Sequence, residues 1–269
     1  DRRPDRPEDL SVGVEACLRG REAGIGWPAR NSLQFFDAAG DAVHKVHLRP
    51  ASDLARYRAL VAQLASADQA ARLPKVAPIP PSSRTGTASR EELNDSWSKL
   101  TDTHEFYPML RRLKLSRIDA VTMAEDTFTW SLDPGATTQL IDMVVAKALP
   151  IMVFAGSRGV VQIHSGPIRN VKPMGPSLNV MDKTFHMHLR LDHIASLWAV
   201  RKPTDQGQIT SVEAYDAHGS LILQFFGIRQ KGLDAPLWVE MVERCRACRR
   251  SPEVQRTASL QWEHVMTAA

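Results

Sequence analysis

Short apolar runs fill residues 148 to 229, and Gly, Pro, Asn or Asp stands between most of them. Short strands joined by short connections are typical of antiparallel sheets. The pattern therefore predicts an antiparallel meander, followed by a helix over residues 235 to 249. The predicted strands are "PIMVFAG", "VVQIHSG", "IRNVKPM", "SLNVMD", "FHMHLR", "ASLWAVRKP", "QITSVEAYD" and "SLILQFFGIR".

The part of the chain before these strands combines a hairpin with helices. Residues 31 to 49 contain an apolar-rich run, a turn and an alternating run, and they predict a β-hairpin. Apolar residues recur at helical spacing over residues 52 to 66, where Ser52 or Asp53 can cap the N-terminus. Helical sequence resumes near residue 90 and runs, with a break, to about residue 147.

Two parts of the chain are expected to be structurally similar. "SLQFFDAAGDAV" at 32 to 43 resembles "SVEAYDAHGSLI" at 211 to 222, with Ser, Asp-Ala and Gly coinciding and a helix predicted after each copy. Residues 72 to 92 are rich in Pro, Ser and Thr and predict a linker. The linker separates an abbreviated first half, residues 1 to 71, from a second half, residues 93 to 269. The charged, proline-bearing start predicts a flexible arm.

Composition narrows the class of protein. The chain has 269 residues, of which 43% are hydrophobic, and no run approaches the roughly 20 apolar residues that span a bilayer. No apolar signal-peptide region stands at the start, and three cysteines suit a reducing compartment. These features predict a soluble cytoplasmic protein. The net charge of +4 fits an anionic ligand or nucleic acid, although the arginine cluster "RCRACRR" lacks interleaved aromatic residues.

One histidine has an unusual setting in "TDTHEFYPMLRRLKLSR", residues 101 to 117. Asp102 can cap a helix there, with Glu105 three residues on as in a capping box, so His104 falls in the first helical turn. The positive end of the helix dipole favours a neutral imidazole, which is the form that binds metal ions. Pro108 is expected to break or bend this helix. The alternative is an ordinary solvent-facing histidine.

Cations and aromatic residues accompany this histidine. Because exposed ion pairs stabilise by roughly 0–1 kcal/mol, the cations could orient a ligand's carboxylates but hardly supply its affinity. A large apolar ligand could supply it, at about 25 cal/mol per Å² buried. The cations are Arg111, Arg112, Lys114, Arg117, Lys202 and Arg229, and the aromatic residues, which could equally be core, are Phe106, Tyr107, Phe185, Trp198, Phe225 and Phe226.

Two weaker candidates for metal or redox chemistry remain. His186 and His188 lie two apart on a predicted strand with His193 nearby, but no carboxylate or cysteine completes a metal site. Cys245 and Cys248 form a C-x-x-C motif without a second pair.

At "TDTHEFY", "MVFAGSRGVVQIHSGPIRNVKPMGPSLNV", "HLRLDHIASLWAVRKPT" and "LQFFGIR" the sequence resembles the cytoplasmic haemin-degrading factor family. These are haem-trafficking proteins of Gram-negative haem-uptake systems. The resemblance implies an α+β fold of two homologous halves, each a large antiparallel sheet with flanking helices, with a haem cleft between them. It implies haem b as the cofactor and His104, in the "TD-x-H" motif, as the proximal iron ligand. The residues that the resemblance places at the haem are Arg117, Lys202, Phe226 and Arg229.

The sequence departs from the family pattern on the distal side of the haem. The family carries a second arginine after an Asp-Leu pair, where Ser11 stands here, and neither Arg19 nor Arg21 aligns with it.

The resemblance also implies a function and partners. We expect a cytoplasmic haem-binding protein that accepts imported haem and delivers it to a downstream haem oxygenase or inner-membrane haem transporter. The alternative is a haem-degrading enzyme with oxygenase-like activity. A basic nucleic-acid-binding module is a more remote alternative.

Overall fold

A computed structural model shows the architecture of this chain. It describes residues 13–19, 30–36, 42–65, 67, 86–157, 159–229 and 234–249. They fall into two compact units, one of residues 1–80 with 157–160 and one of residues 81–156 with 161–269. Antiparallel sheets and several helices confirm the predicted α+β class. In the described ranges, no helix is both long enough and apolar enough to cross a membrane.

The described part of the first unit contains a three-stranded antiparallel sheet in the order β1-β2-β3 and one helix. Its elements are β1 (Gly13–Arg19), β2 (Arg30–Phe36), β3 (Ala42–His47) and α1 (Leu54–Leu64). The β2–β3 pairing confirms the predicted hairpin, and the side chain of Asp53 caps α1 by accepting from the N–H of Arg56. The buried Tyr57 donates its hydroxyl to the carbonyl of Ser32 at 3.1 Å, which ties α1 to β2. β1 was not predicted, because its seven residues lack a clear alternation.

The second unit begins with helices. They are α2 (Arg90–Ser98), α3 (Phe106–Leu113), α4 (Arg117–Met123) and α5 (Ala136–Ala146), with a 3₁₀ turn over Thr103–Glu105. Helix α2 starts within the segment that we had predicted as linker, because Ser89 caps it by accepting from the N–H of Glu92.

The prediction of helical sequence, with a break, to about residue 147 did not include a strand. Strand β4 (Thr129–Leu132) lies between α4 and α5 and pairs with a later strand. A strand of four residues is too short to show an alternation of apolar and polar positions, so its formation depends on pairing with a strand that is distant in the sequence.

The other strands of the second unit form two antiparallel sheets. They are β5 (Ile151–Gly156), β6 (Val161–Gly166), β7 (Val171–Met174), β8 (Ser177–Met181), β9 (His186–Arg190), β10 (Ser196–Thr204), β11 (Gly207–Tyr215) and β12 (Leu221–Gly227). The larger sheet has the order β4-β10-β11-β12-β5-β6, and the smaller has the order β7-β8-β9. The predicted antiparallel pairing is confirmed, but the strands do not form one continuous meander, because the β5–β6 hairpin pairs beside β12. The predicted C-terminal helix is α6 (Pro236–Arg249).

The six-stranded sheet is covered differently on its two faces. One face packs on α5, α6 and the smaller sheet in a cluster that includes Ile141, Val212, Phe225 and Trp238. The opposite face packs on α2, α3 and α4 mainly at β10 and β11. Among the described residues, Leu221 at the start of β12 also packs against this second cluster, which includes no side chain from the rest of β12 or from β5 and β6. Half of that face is therefore not covered by these helices.

The two copies of the internal similarity adopt the same local structure. One copy forms the β2–β3 hairpin and is followed by α1, and the other forms the β11–β12 hairpin and is followed by α6. The organisation into homologous halves with a haem cleft, and the linker boundaries at residues 72 to 92, stay predictions.

Candidate functional site

Strand register brings a set of polar and aromatic side chains onto the partly uncovered face of the sheet. In an antiparallel sheet, directly paired residues point to the same face. Glu213 pairs with Gln224, and Gln224 pairs with Phe154. Ser211 pairs with Phe226. The face therefore carries a carboxylate and a carboxamide beside two phenylalanine rings.

The carboxylate of Glu213 is the centre of a buried hydrogen-bond network. Its side chain is fully buried and accepts six contacts. The donors are Arg117 Nε (2.8 Å) and Nη2 (2.6 Å), Lys202 Nζ (3.2 Å), Ser211 Oγ (2.8 Å), Tyr215 Oη (2.6 Å) and Gln224 Nε2 (2.9 Å). Two of the predicted site residues, Arg117 and Lys202, thus contact one acid, Glu213, which was not among the predictions.

A break in the helix separates Arg117 from the neighbouring cations. Helix α3 ends at Leu113, and its C-cap Lys114 has a left-handed backbone with φ 52°. Ser116 caps the new helix α4 by accepting from the N–H of Asp119. Arg117 therefore starts α4 and points inward, with its side chain 22% exposed. Arg111 and Arg112 on α3 are exposed. Arg117 therefore lies on a different helix from Arg111 and Arg112.

Burial and charge act against each other in this network. Burial opposes ionisation of Glu213, but Arg117 and Lys202 outweigh it and hold the pKa of the carboxyl well below its usual range. Burial lowers the pKa of the Lys202 ammonium to about 8, and the carboxylate of Glu213 only partly offsets this effect. Burial likewise raises the pKa of the Tyr215 hydroxyl well above its usual range. The cluster holds two cationic side chains for one carboxylate.

An aromatic ring supports both cations from the helical side. Phe106 begins α3 and is almost fully buried. Its ring centre lies 5.0 Å from Cζ of Arg117 and 4.8 Å from Nζ of Lys202, within the range of cation–π attraction. Since Phe106 follows His104 by two residues, the turn that carries His104 lies next to this cluster.

The predicted capping box around His104 is confirmed. Asp102 caps the 3₁₀ turn, and the carboxylate of Glu105 accepts from the N–H of Asp102 at 3.3 Å. Oδ1 of Asp102 accepts from the backbone N–H of His104 at 2.7 Å and lies 2.5 Å from its ring Nδ1. These contacts from His104, the backbone N–H first, lower the pKa of the Asp102 carboxyl. Since a carboxylate only accepts, Nδ1 is the donor in this contact, and in a neutral imidazole Nε2 then carries the lone pair, on a side chain that is 92% exposed.

Pro108, which was expected to break or bend this helix, does not break it. Helix α3 starts at Phe106, so Pro108 lies in its first turn and the helix continues to Leu113. The first N–H groups of a helix have no intrahelical acceptor, so a proline there removes no hydrogen bond.

The two remaining predicted site residues flank the same region. Phe226 is half-buried on the sheet face and packs edge-on against Phe154, with ring centres 5.0 Å apart. Arg229 follows the end of β12, is exposed, and lies near enough to Asp102 to help lower its pKa. The structure thus brings Arg117 and Lys202 together at Glu213, and Arg229 near the aspartate that orients His104.

Among the described residues, the weaker histidine candidates do not assemble a metal site. His186 and His188 are exposed on β9, and Nδ1 of His188 lies 2.5 Å from Oδ1 of Asn179. Within the described ranges, no group of three or more His, Cys, Asp or Glu side chains could hold a metal ion. Cys245 is buried. Ser11, Arg21 and the side chains of Arg19 and Cys248 lie outside the described residues.

Sequence reasoning missed Glu213 and Gln224. One signal for the acid was available, because Ser211, Glu213 and Tyr215 put three hydrogen-bonding side chains at alternate positions of one strand. Buried polar groups on one strand face require hydrogen-bond partners, and the predicted cations can donate to a buried carboxylate.

Comparisons of this chain with known proteins agree on one protein family. The profile described as "Haemin-degrading HemS.ChuX domain" matches residues 25–64 and 114–245. The hemin transport protein HemS of Yersinia enterocolitica is 35% identical over 206 residues, which cover 76% of this chain and 59% of that protein. The hemin transport protein HmuS of Yersinia pestis is also 35% identical, over 217 residues, or 80% of this chain and 62% of that protein. The chain thus spans about three fifths of the length of these curated relatives.

Solved structures agree with the sequence match. Holo-PhuS, a heme-binding protein from Pseudomonas aeruginosa, superposes with a TM-score of 0.74 and 36% identity, covering 86% of this chain and 66% of that one. ChuS, a heme degrading enzyme of Escherichia coli O157:H7, superposes with a TM-score of 0.72 and 31% identity, covering 80% and 63%. This chain therefore belongs to the haemin-degrading HemS.ChuX family.

Proposed function

We propose that this chain binds haem b, with His104 as the axial iron ligand and Arg117, Lys202, Phe226 and Arg229 at the haem. The observation that carries the proposal is the arrangement around His104. A carboxylate orients an exposed imidazole, and the same region holds a cation cluster and a partly uncovered aromatic sheet face.

The setting of His104 suits an iron ligand. A ligating histidine needs a free ring nitrogen, and donation of the other N–H to a carboxylate fixes the tautomer and increases ligand basicity. Asp102 supplies that carboxylate, and the capping box holds Asp102 in turn through Glu105. When bound, the haem iron would supply the redox chemistry, while this chain supplies the ligand and its orientation.

The sheet face beyond β11 suits the apolar macrocycle. Met152, Phe154 and Phe226 are half-buried there, and Ile163, which pairs with Phe154, is 58% exposed. A ligand that covered these side chains would gain about 25 cal/mol for each Å² of apolar surface removed from water.

The cations suit the two propionates of haem. Arg117 uses Nε and Nη2 on Glu213, which leaves its Nη1 donors for another partner. Lys202 has three donors and makes one contact with Glu213. Charge-assisted hydrogen bonds to carboxylates are stronger than neutral ones, so these groups would orient the ligand.

The names of the relatives support a role in haem handling. HemS and HmuS are named hemin transport proteins, and PhuS is called a heme-binding protein. We infer that this chain acts in the cytoplasm, accepts imported haem and delivers it to a downstream haem oxygenase or inner-membrane haem transporter. ChuS is described both as a heme degrading enzyme and as a heme oxygenase, which favours haem degradation as the second candidate function.

Haemin titration of the apoprotein tests the binding proposal. We expect a saturable Soret shift at one equivalent, lost or altered in His104→Ala. His218→Ala removes another exposed histidine and should leave the spectrum unchanged. A spectrum of free haemin with the unmodified chain would refute binding, and an unchanged spectrum in His104→Ala would refute the ligand.

Product analysis separates the carrier from the enzyme. The haem-loaded protein is incubated with a physiological reductant and O₂, with catalase present to remove free peroxide. Unchanged haem supports the carrier. Verdohaem or another tetrapyrrole product that persists with catalase supports the enzyme.

A further inference from the structure

We propose that Glu213 is a positioning residue that holds Arg117 and Lys202 in place to bind the carboxylate groups of a ligand. This inference rests on the proposed function, because the ligand carboxylates are taken to be the haem propionates. It adds a residue with a defined task to the site.

The contacts of Glu213 show that it cannot act on a ligand directly. A carboxylate offers about four lone-pair directions, and this one already accepts six contacts. Its side chain is 0% exposed, whereas that of Arg117 is 22% exposed. Any effect of Glu213 on a ligand must therefore pass through the groups that it holds.

The groups that Glu213 holds come from separate elements. Arg117 starts α4, Lys202 lies on β10, and Gln224 lies on β12. Arginine and lysine side chains lose much rotamer freedom when they are fixed, so prior fixing lowers the cost of ligand binding. Both Nε and Nη2 of Arg117 bind Glu213, which fixes the plane of the guanidinium as well as its position.

Charge explains why an acid is needed at this position. Lys202 is 5% exposed, and both it and Arg117 lie over the ring of Phe106. Without Glu213 two neighbouring cations would repel each other in a poorly solvated place. Arg117 could then turn toward solvent, and Lys202 would lose the group that offsets its burial. With Glu213 the cluster keeps both cations and an excess positive charge for an anionic ligand.

A purely structural role would have a different signature. It would lower the stability of the fold without changing which ligands bind. A positioning role should instead reduce the preference for ligands that carry free carboxylates. Haemin and haemin dimethyl ester differ only in esterification of the propionates, so they separate the two roles.

The test measures Kd for both ligands with the unmodified chain, Glu213→Gln and Glu213→Asp. The first variant removes the charge at nearly constant shape. The second keeps the negative charge but shortens the side chain. It therefore still tests the positioning role if Glu213→Gln does not fold. We expect each variant to bind haemin about tenfold more weakly and the ester within about twofold of the unmodified chain, with the same Soret maximum.

A variant that lacks both cations shows whether Glu213 acts through them. In Arg117→Met/Lys202→Met, the further change Glu213→Gln should leave the haemin Kd unchanged, since nothing remains to be positioned. Arg111→Met, an exposed arginine on α3, controls for the loss of a positive charge.

The outcomes separate this inference from the proposed function. An unmodified chain that binds neither ligand overturns the proposed function. An unmodified chain that binds haemin, with an unchanged haemin-to-ester ratio in both Glu213 variants, overturns the positioning role alone. An equal loss of affinity for haemin and for its ester also overturns the positioning role in favour of a structural one. So does a loss of haemin affinity on Glu213→Gln that persists in the variant without the two cations.

Discussion

Replacing Arg117 with methionine should destabilise the apoprotein strongly, although Arg117 lies in the first turn of a short helix. The change removes two of the six contacts to Glu213 and leaves that fully buried carboxylate with Lys202 as its nearest cation. Removing one partner of a buried ion pair costs about 3–5 kcal/mol. We expect about 3 kcal/mol here, because Lys202 remains and Arg117 is 22% exposed.

Denaturant titration of the apoprotein, followed by circular dichroism and tryptophan fluorescence, measures this loss. At about 2–4 °C per kcal/mol for a unit of about 200 residues, Tm should fall by about 6–12 °C. The matched control Arg111→Met should stay within about 0.5 kcal/mol, since Arg111 is exposed. The double variant Arg117→Met/Glu213→Gln should recover part of the loss. A loss below about 1 kcal/mol in Arg117→Met would refute the reasoning, because it would mean that water or other groups compensate Glu213 fully.

Two further predictions concern pH and the backbone. Haemin affinity should fall as pH rises through about 8, where Lys202 loses the charge that binds a carboxylate, and Lys202→Met should remove this inflection. A flat profile for the unmodified chain between about pH 6.5 and 9.5 would contradict it. Gly219→Ala should cost about 1–3 kcal/mol in chemical denaturation, because φ is +76° and a Cβ would lie 2.7 Å from Cγ2 of Ile118. The exposed Ala217→Gly is its control, and equal stability would show that the turn adapts.

Local signals predicted many of the elements. Asp53 and Asp102 cap their helical turns because a short side-chain oxygen can reach a free backbone N–H nearby in sequence. The β2–β3 and β11–β12 hairpins followed from apolar runs on either side of a turn. The family motifs drew attention to His104, and the structure adds the contact of its ring with Asp102.

The errors occurred where a distant partner decides the structure. Strand β4 is too short to be recognised without β10, and the β5–β6 hairpin pairs beside β12 rather than continuing a meander. The break at Lys114 places Arg117 on α4, apart from Arg111 and Arg112 on α3.

The sequence by itself determined much of the local geometry: most of the strands, the turns between them, and the capping box that places Asp102 beside His104. Only the tertiary structure decided that Glu213 gathers Arg117 from a helix and Lys202 from another strand. The physical reason is one of range. A cap or turn involves atoms a few residues apart, whereas a buried carboxylate finds its partners across 96 and 11 positions of the chain, once strand order and register exist.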